Sequence, residues 1–133
     1  MIAIEQFSVL DNILANSDLH SLFQPIFSLS ERRILGYEAL SRGPSNSALH
    51  SPINLFAVAR SADRLSELEL LCRKSACQRF SQLKLEGKLF LNISPDSLLQ
   101  PKHQPGRTLQ LLQSLGIPPS QVVIELTEQS PTD

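Results

Sequence analysis

The sequence contains three short apolar stretches: ILGYEALSR at residues 34–42, KLFLNIS at 88–94 and QVVIELTE at 121–128. Each has the length and the aliphatic content of a β-strand. The intervals between them carry apolar residues at helical spacing, so the chain alternates strand, helices, strand, helices and strand. This alternation is typical of an α/β fold with a parallel sheet and right-handed crossovers.

The segment before residue 34 predicts a helix followed by one more strand. Residues 3–16 have helical spacing, and SLFQPIFSL at 21–29 predicts a strand in which Pro25 indicates an edge position or a bulge. The connector at 30–33 is too short for a parallel crossover, so this strand should pair antiparallel with the next. Four strands do not close a (β/α)8 barrel, which typically needs about 250 residues. The pattern is that of such a barrel cut near its middle.

The intervals between the strands predict helices with definite ends. Helical periodicity runs from about 53 to 83, with an expected break at 61–64, and Gly87 ends it. Pro95 can begin a short helix directly after the second parallel strand. A further helix is expected from 108 to 115, where Gly116 stops it.

Composition and charge exclude several classes of protein. The chain has 133 residues, 41% of them hydrophobic and 19% charged, with a net charge of −1, which is typical of one globular domain. No basic excess indicates DNA or RNA as a partner. No apolar run approaches the roughly 20 residues of a membrane span. Because no positive charge precedes an apolar core at the start, no signal peptide is predicted, and we expect a cytoplasmic location.

The two cysteines do not form a predicted disulfide or metal site. Cys72 and Cys77 lie five residues apart on a predicted helix, so their side chains point about 140° away from each other at 3.6 residues per turn. That geometry suits neither a disulfide nor a pair of metal ligands. We expect both thiols to pack in or near the core.

Each predicted parallel strand has a polar residue near its carboxyl end, where an apolar one would pack better. These residues are Glu38, Asn92 and Glu125. Catalytic groups of α/β barrels come from this end of the strands. Two carboxylates and an amide oxygen form an all-oxygen set that suits Mg²⁺, Mn²⁺ or Ca²⁺. The spacing alone leaves open a half-exposed strand end or a structural pair.

Side-chain alternation along the strands sorts the neighbouring residues by face. Glu38, Leu40 and Arg42 share one face, and Thr127 shares a face with Glu125. Arg42 could hold a phosphate by a bidentate contact, or it could be a solvated arginine at a strand end. Glu128 has the opposite parity to Glu125 and should face the helix layer or a loop.

Four motifs in order resemble the EAL-domain family. They are FQPIFSL at 23–29, GYEALSRG at 36–43, LFLNIS at 89–94 and VVIELTE at 122–128. The helix that contains Glu69 also fits, with glutamate where the family commonly has aspartate. The resemblance implies an α/β fold that forms the first half of an EAL-type (β/α)8 TIM-like barrel with an antiparallel first strand. It divides the chain into an N-terminal helix at 1–18 and a truncated EAL domain at 19–133.

The resemblance also implies a function and a site. The family hydrolyses the second messenger cyclic-di-GMP to linear pGpG with two Mg²⁺ or Mn²⁺ ions. The matching positions imply metal ligands at Glu38, Asn92 and Glu125, substrate contacts at Gln24, Leu40 and Arg42, a supporting hydrogen bond from Thr127, and a role for Glu128 in steadying a catalytic loop.

Several family motifs are not among these 133 residues. The Asp-Asp-Phe-Gly motif, the lysine after it, and a later glutamate and glutamine are absent. We therefore expect the polypeptide alone to be inactive. Three hypotheses follow: part of an active phosphodiesterase, a non-catalytic module that binds cyclic-di-GMP or a protein partner, and an interaction protein that works by pairing. The last strand would leave an apolar edge, which favours a homodimer.

Overall fold

The protein folds as a four-stranded sheet with helices packed against it. The structure, a computed structural model, describes residues 2–100 and 105–127. In chain order the elements are α1 (Ile4–Asn16), β1 (His20–Ser28), β2 (Arg33–Arg42), α2 (Pro52–Ser61), α3 (Leu65–Leu83), β3 (Lys88–Ile93), α4 (Pro95–Leu99), α5 (Arg107–Leu115), a 3-10 turn (Pro119–Gln121) and β4 (Val122–Leu126).

The sheet has the strand order β1-β2-β3-β4. β1 pairs antiparallel with β2, whereas β2, β3 and β4 run parallel to one another. The predicted α/β class and the antiparallel first strand are therefore confirmed. Pro25 lies in β1, which is an edge strand of the described sheet, and the β1–β2 register shifts between Ile26 and Phe27. Both features predicted from the proline are present.

Two apolar layers hold the helices in place. α1, α2 and α3 share a core in which Leu10, Leu55 and Leu68 are fully buried. A second core lies between α3, α5 and the sheet, where the rings of Phe23 and Phe80 meet edge to face with centroids 6.1 Å apart. Burying each such large side chain contributes about 1.5–3 kcal/mol. Although α1 packs into the same core as α2 and α3, the domain division at residue 18 remains a prediction.

The helix layer covers one face of the sheet. In β3 the buried residues Leu89, Leu91 and Ile93 alternate with Phe90 and Asn92, which are half-buried. The near-continuous apolar composition of this strand predicts burial on both faces, and that prediction was wrong for the described residues, because α3 and α5 pack against only one side. The other face carries the polar residues singled out from the sequence.

Element boundaries differ from the predicted ones by a few residues. β4 begins at Val122, because Pro119–Gln121 forms a 3-10 turn before it. The strand ends at Leu126. Glu128 lies outside the described residues. Among the helices that the structure describes, none has the length and apolar character needed to cross a membrane.

Candidate functional site

The candidate site begins with a hydrogen bond between β2 and β3. Nδ2 of Asn92 donates to Oε2 of Glu38 at 3.1 Å and lies 3.4 Å from the carbonyl oxygen of Ala39. Both side chains are half-buried on the face of the sheet opposite the helices. The parallel β2–β3 pairing, with Glu38 beside Phe90, brings the two carboxyl ends together. The structure therefore brings together two of the three predicted metal ligands.

β4 adds the third predicted ligand and a hydrogen bond. Glu125 lies beside Asn92 in the β3–β4 register. Thr127 donates from Oγ1 to Oδ1 of Asn92 at 2.8 Å, and its backbone N–H donates to the carbonyl of Ile93 at 3.0 Å. The amide of Asn92 is thus held from both sides, which fixes the direction of its oxygen.

The predicted substrate contacts lie along β1 and β2. Gln24 is opposite Glu38 in the hairpin, and Arg42 is opposite His20 at the end of β2. Leu40 and Arg42 are half-buried, and Nη1 of Arg42 donates to the carbonyl of Ser41 at 2.9 Å. Arg42 lies four residue steps after Glu38 along β2, or about 13 Å at 3.3 Å per residue. The arginine therefore lies beside the carboxylate cluster and not within it.

The donor set suits a hard divalent cation. Among residues 2–100 and 105–127, no three histidine, cysteine, aspartate or glutamate side chains form a cluster that could hold a metal ion. The oriented group consists instead of Glu38, Glu125 and the amide oxygen of Asn92, and oxygen ligands of this kind suit Mg²⁺, Mn²⁺ and Ca²⁺. These residues fit the cation that the sequence pattern predicts. Their role as ligands remains a prediction.

A small cavity lies between the sheet and α3, next to this cluster. Its volume is about 110 Å³, and its lining includes Arg42, Asn92, Glu69, Arg73 and Ser94. Within the part of the chain that the structure describes, Nη1 of Arg73 is buried and has no hydrogen-bond partner. A cavity of this volume, lined in part by polar side chains, can hold ordered water.

Glu69 is a buried carboxylate that pattern reasoning alone did not single out as a site residue. It is 4% exposed, and its Oε1 accepts a hydrogen bond from the backbone N–H of Ser94 at 3.0 Å. Its position, four residues after Leu65, falls on the apolar stripe of α3. A charged residue on a buried stripe was the signal that could have identified it.

Burial also governs the ionisable groups around the cavity. Burial raises the pKa of the Cys72 thiol to about 12 and that of the Cys77 thiol to about 11. Cys72 is half-buried and Cys77 is buried, so both pack in or near the core as predicted, and at neutral pH their thiols are protonated and poorly nucleophilic. Burial lowers the pKa of the Arg73 guanidinium, and the nearby charge of Glu69 opposes that shift.

The fold and the site together define a barrel-type α/β domain with a carboxylate–amide cluster at the carboxyl ends of its parallel strands. The family model of the EAL domain matches residues 8–133 of the chain. The chain therefore belongs to the EAL-domain family, and its fold is that of the first part of an EAL-type barrel.

Known relatives connect the family to cyclic-di-GMP. The probable cyclic di-GMP phosphodiesterase PdeI of Escherichia coli K12 is 31% identical over an alignment of 118 residues that covers 84% of the chain. Klebsiella pneumoniae BlrP1 in a calcium and cyclic-di-GMP complex is 30% identical over 85% of the chain, with a TM-score of 0.70. A standalone EAL protein from Vibrio cholerae O395, in its cyclic-di-GMP-bound form, is 28% identical over 84% of the chain, with a TM-score of 0.67.

The matched region is a minor part of each relative. The chain spans 15% of the Escherichia coli protein, 28% of BlrP1 and 45% of the Vibrio protein. The relation to cyclic-di-GMP phosphodiesterases and to a cyclic-di-GMP-bound domain thus concerns one region of larger proteins.

Proposed function

We propose that this chain supplies part of the substrate and metal site of a phosphodiesterase that hydrolyses cyclic-di-GMP to linear pGpG. The observation that carries the proposal is the hydrogen-bonded cluster of Glu38, Asn92 and Thr127, with Glu125 beside Asn92. It lies at the carboxyl ends of parallel strands, where barrel enzymes place their catalytic groups. The relatives that bind or are named for cyclic-di-GMP support this choice of substrate.

The side chains around the cluster are suited to orient a cyclic dinucleotide. Arg42 is expected to bind a phosphate through its guanidinium, which can make two parallel hydrogen bonds. Leu40, two residues before it on the same face, would pack against the ligand. Gln24 lies across the hairpin from Glu38, where its amide can contact ligand oxygens beside the reacting phosphate.

Glu38, Asn92 and Glu125 are proposed to hold Mg²⁺ or Mn²⁺. When bound, such ions stabilise charge on the phosphate oxygens and lower the pKa of a water molecule. Thr127 keeps the Asn92 amide from rotating, because its hydroxyl donates to Oδ1. Glu128, which lies outside the described residues, is proposed to steady a loop near the ions. Location in the cytoplasm likewise stays a prediction.

Hydrolysis of cyclic-di-GMP tests this proposal. The product of the complete gene, purified with Mg²⁺ or Mn²⁺, is expected to release linear pGpG, measured by chromatography. The 133-residue polypeptide alone is expected to show no turnover above background, because the Asp-Asp-Phe-Gly aspartates and the lysine are not among its residues. Tight binding of cyclic-di-GMP without cleavage, with either metal, would show a non-catalytic module instead. Rapid turnover by the 133-residue polypeptide alone would refute the expectation that hydrolysis requires the Asp-Asp-Phe-Gly aspartates and the lysine.

The open edge of β4 predicts that this polypeptide associates with a second copy of itself. Ile124 is 46% exposed and Leu126 is 67% exposed, and in the described residues β4 has β3 as its one neighbour. An open apolar strand edge is a template for pairing with another chain. Light scattering of the 133-residue polypeptide is expected to give at least a dimer, which Leu126→Lys should dissociate. A monomer of 14.8 kDa for the unmodified polypeptide would contradict this prediction.

A further inference from the structure

The buried carboxylate of Glu69 accepts a hydrogen bond that leads to the candidate site. A carboxylate that is 4% exposed must be compensated by partners, because burial of an unpaired charge is costly. The partner is the backbone N–H of Ser94, at 3.0 Å. Ser94 follows the predicted metal ligand Asn92 by two residues, so α3 holds the backbone just where β3 ends.

Ser94 is itself fixed from a second direction. It is 2% exposed, and its Oγ accepts the N–H of Ser97 at 3.1 Å, which caps the start of α4. On the other side of the strand, the N–H of Thr127 donates to the carbonyl of Ile93. The Ile93–Ser94 peptide, which begins one residue after Asn92, is therefore clamped between α3 and β4.

Arg73, one helical turn after Glu69, ties the same helix to α5. It is 5% exposed, and its Nε donates to Oγ1 of Thr108 at 2.9 Å. Its positive charge offsets the negative charge of Glu69. This pair has a purely structural interpretation: the two buried charges hold α3 against its neighbours and have no effect on the site.

We infer that Glu69 is a positioning residue for Asn92, acting through the backbone of Ser94. The inference rests on the proposed function, because it requires that Asn92 bind a cation. Groups that orient a metal ligand typically contribute about 10- to 100-fold in metal affinity or activity. A carboxylate suits this task better than an amide, because a hydrogen bond to a charged acceptor is roughly twice as strong as a neutral one.

Hydrogen exchange and Mn²⁺ binding by the product of the complete gene test the inference. In the metal-free protein, the Ser94 amide is expected to be protected from exchange, and Glu69→Ala should remove that protection. Mn²⁺ broadens the resonances of nearby nuclei, so a titration gives its affinity at Asn92 and Glu125. Glu69→Ala is expected to weaken that affinity about 10- to 100-fold, and Glu69→Gln, which keeps the shape of the side chain, by less.

Three controls separate positioning from loss of stability. Glu67→Gln alters an exposed carboxylate of the same helix that pairs with Arg64, and it should leave Mn²⁺ affinity unchanged. Thr108→Val breaks the Arg73 contact and Leu10→Ala opens a cavity in the distant α1 core. Neither should weaken Mn²⁺ binding by the folded protein. If either does so as strongly as Glu69→Ala, the structural interpretation is correct and the inference is wrong.

The remaining outcomes distinguish this inference from the proposed function. If the unmodified protein binds Mn²⁺ and Glu38→Gln weakens that binding, while Glu69→Ala leaves the Mn²⁺ affinity unchanged, the inference alone is overturned. If the unmodified product of the complete gene takes up no Mn²⁺ near Asn92, or if Glu38→Gln has no effect on its Mn²⁺ affinity, the proposed metal site fails and the inference fails with it.

Discussion

Glu38→Gln is expected to lower kcat/KM for cyclic-di-GMP cleavage by at least about 100-fold in the product of the complete gene. Glutamine keeps the size of the side chain and an oxygen that can accept from Nδ2 of Asn92, so the fold should persist. It removes the negative charge that would hold a divalent cation. A bound cation contributes several kcal/mol to stabilising a phosphoryl transition state, and every 1.36 kcal/mol is tenfold in rate.

Chromatography of pGpG at several Mn²⁺ concentrations measures this effect. Glu31→Gln is the matched control. Glu31 is an exposed glutamate next to the same strand, and its carboxylate forms a surface ion pair with Arg33. It should leave the rate unchanged. Circular dichroism should show the same unfolding temperature for both variants. Normal cleavage by Glu38→Gln would remove Glu38 from the site.

Gly36→Ala is expected to destabilise the fold by about 3 kcal/mol, the upper part of the range for overpacked positions. A Cβ at residue 36 would lie 2.0 Å from the backbone carbonyl oxygen of Lys88. That oxygen belongs to the start of β3, and it cannot move without disturbing the β2–β3 pairing. The same pairing brings Glu38 to Asn92, so the substitution should weaken the site as well as the fold.

Thermal unfolding followed by circular dichroism checks this prediction, with an expected decrease of about 10 °C in the midpoint. Gly106→Ala is the control: Gly106 has a φ of 83°, but a Cβ there would meet nothing within 4 Å. Its cost should be limited to about 1–2 kcal/mol for the left-handed backbone. Equal unfolding midpoints for Gly36→Ala and the unmodified protein would show that β2 and β3 leave room for a Cβ at residue 36.

Much of the fold was predictable because its signals are local. Pro25 predicted an edge position or a bulge, and the short connector at 30–33 predicted an antiparallel hairpin; β1 is an edge strand of the described sheet and pairs antiparallel with β2. The break in helical periodicity at 61–64 separates α2 from α3. The expectation for β3 was wrong, because strand composition does not show which face a helix layer covers.

The candidate site was predictable to a lesser extent. Glu38, Asn92 and Glu125 stood out because polar residues interrupt apolar strands. Alternation along the strand added Arg42, and the family resemblance added Gln24. Periodicity did not indicate the partner of Glu69, since Ser94 lies 25 residues away on another element. The sequence showed the charge on the buried stripe but not its hydrogen bond.

The amino-acid sequence by itself determined the helices, the strands and the polar residues at the strand ends, because periodicity, proline and glycine act over a few neighbouring residues. Only the tertiary structure decided that Asn92 contacts both Glu38 and Thr127, which lie 54 and 35 residues from it along the chain. Such contacts depend on strand order and register, and a shift of one residue would turn each side chain to the opposite face of the sheet.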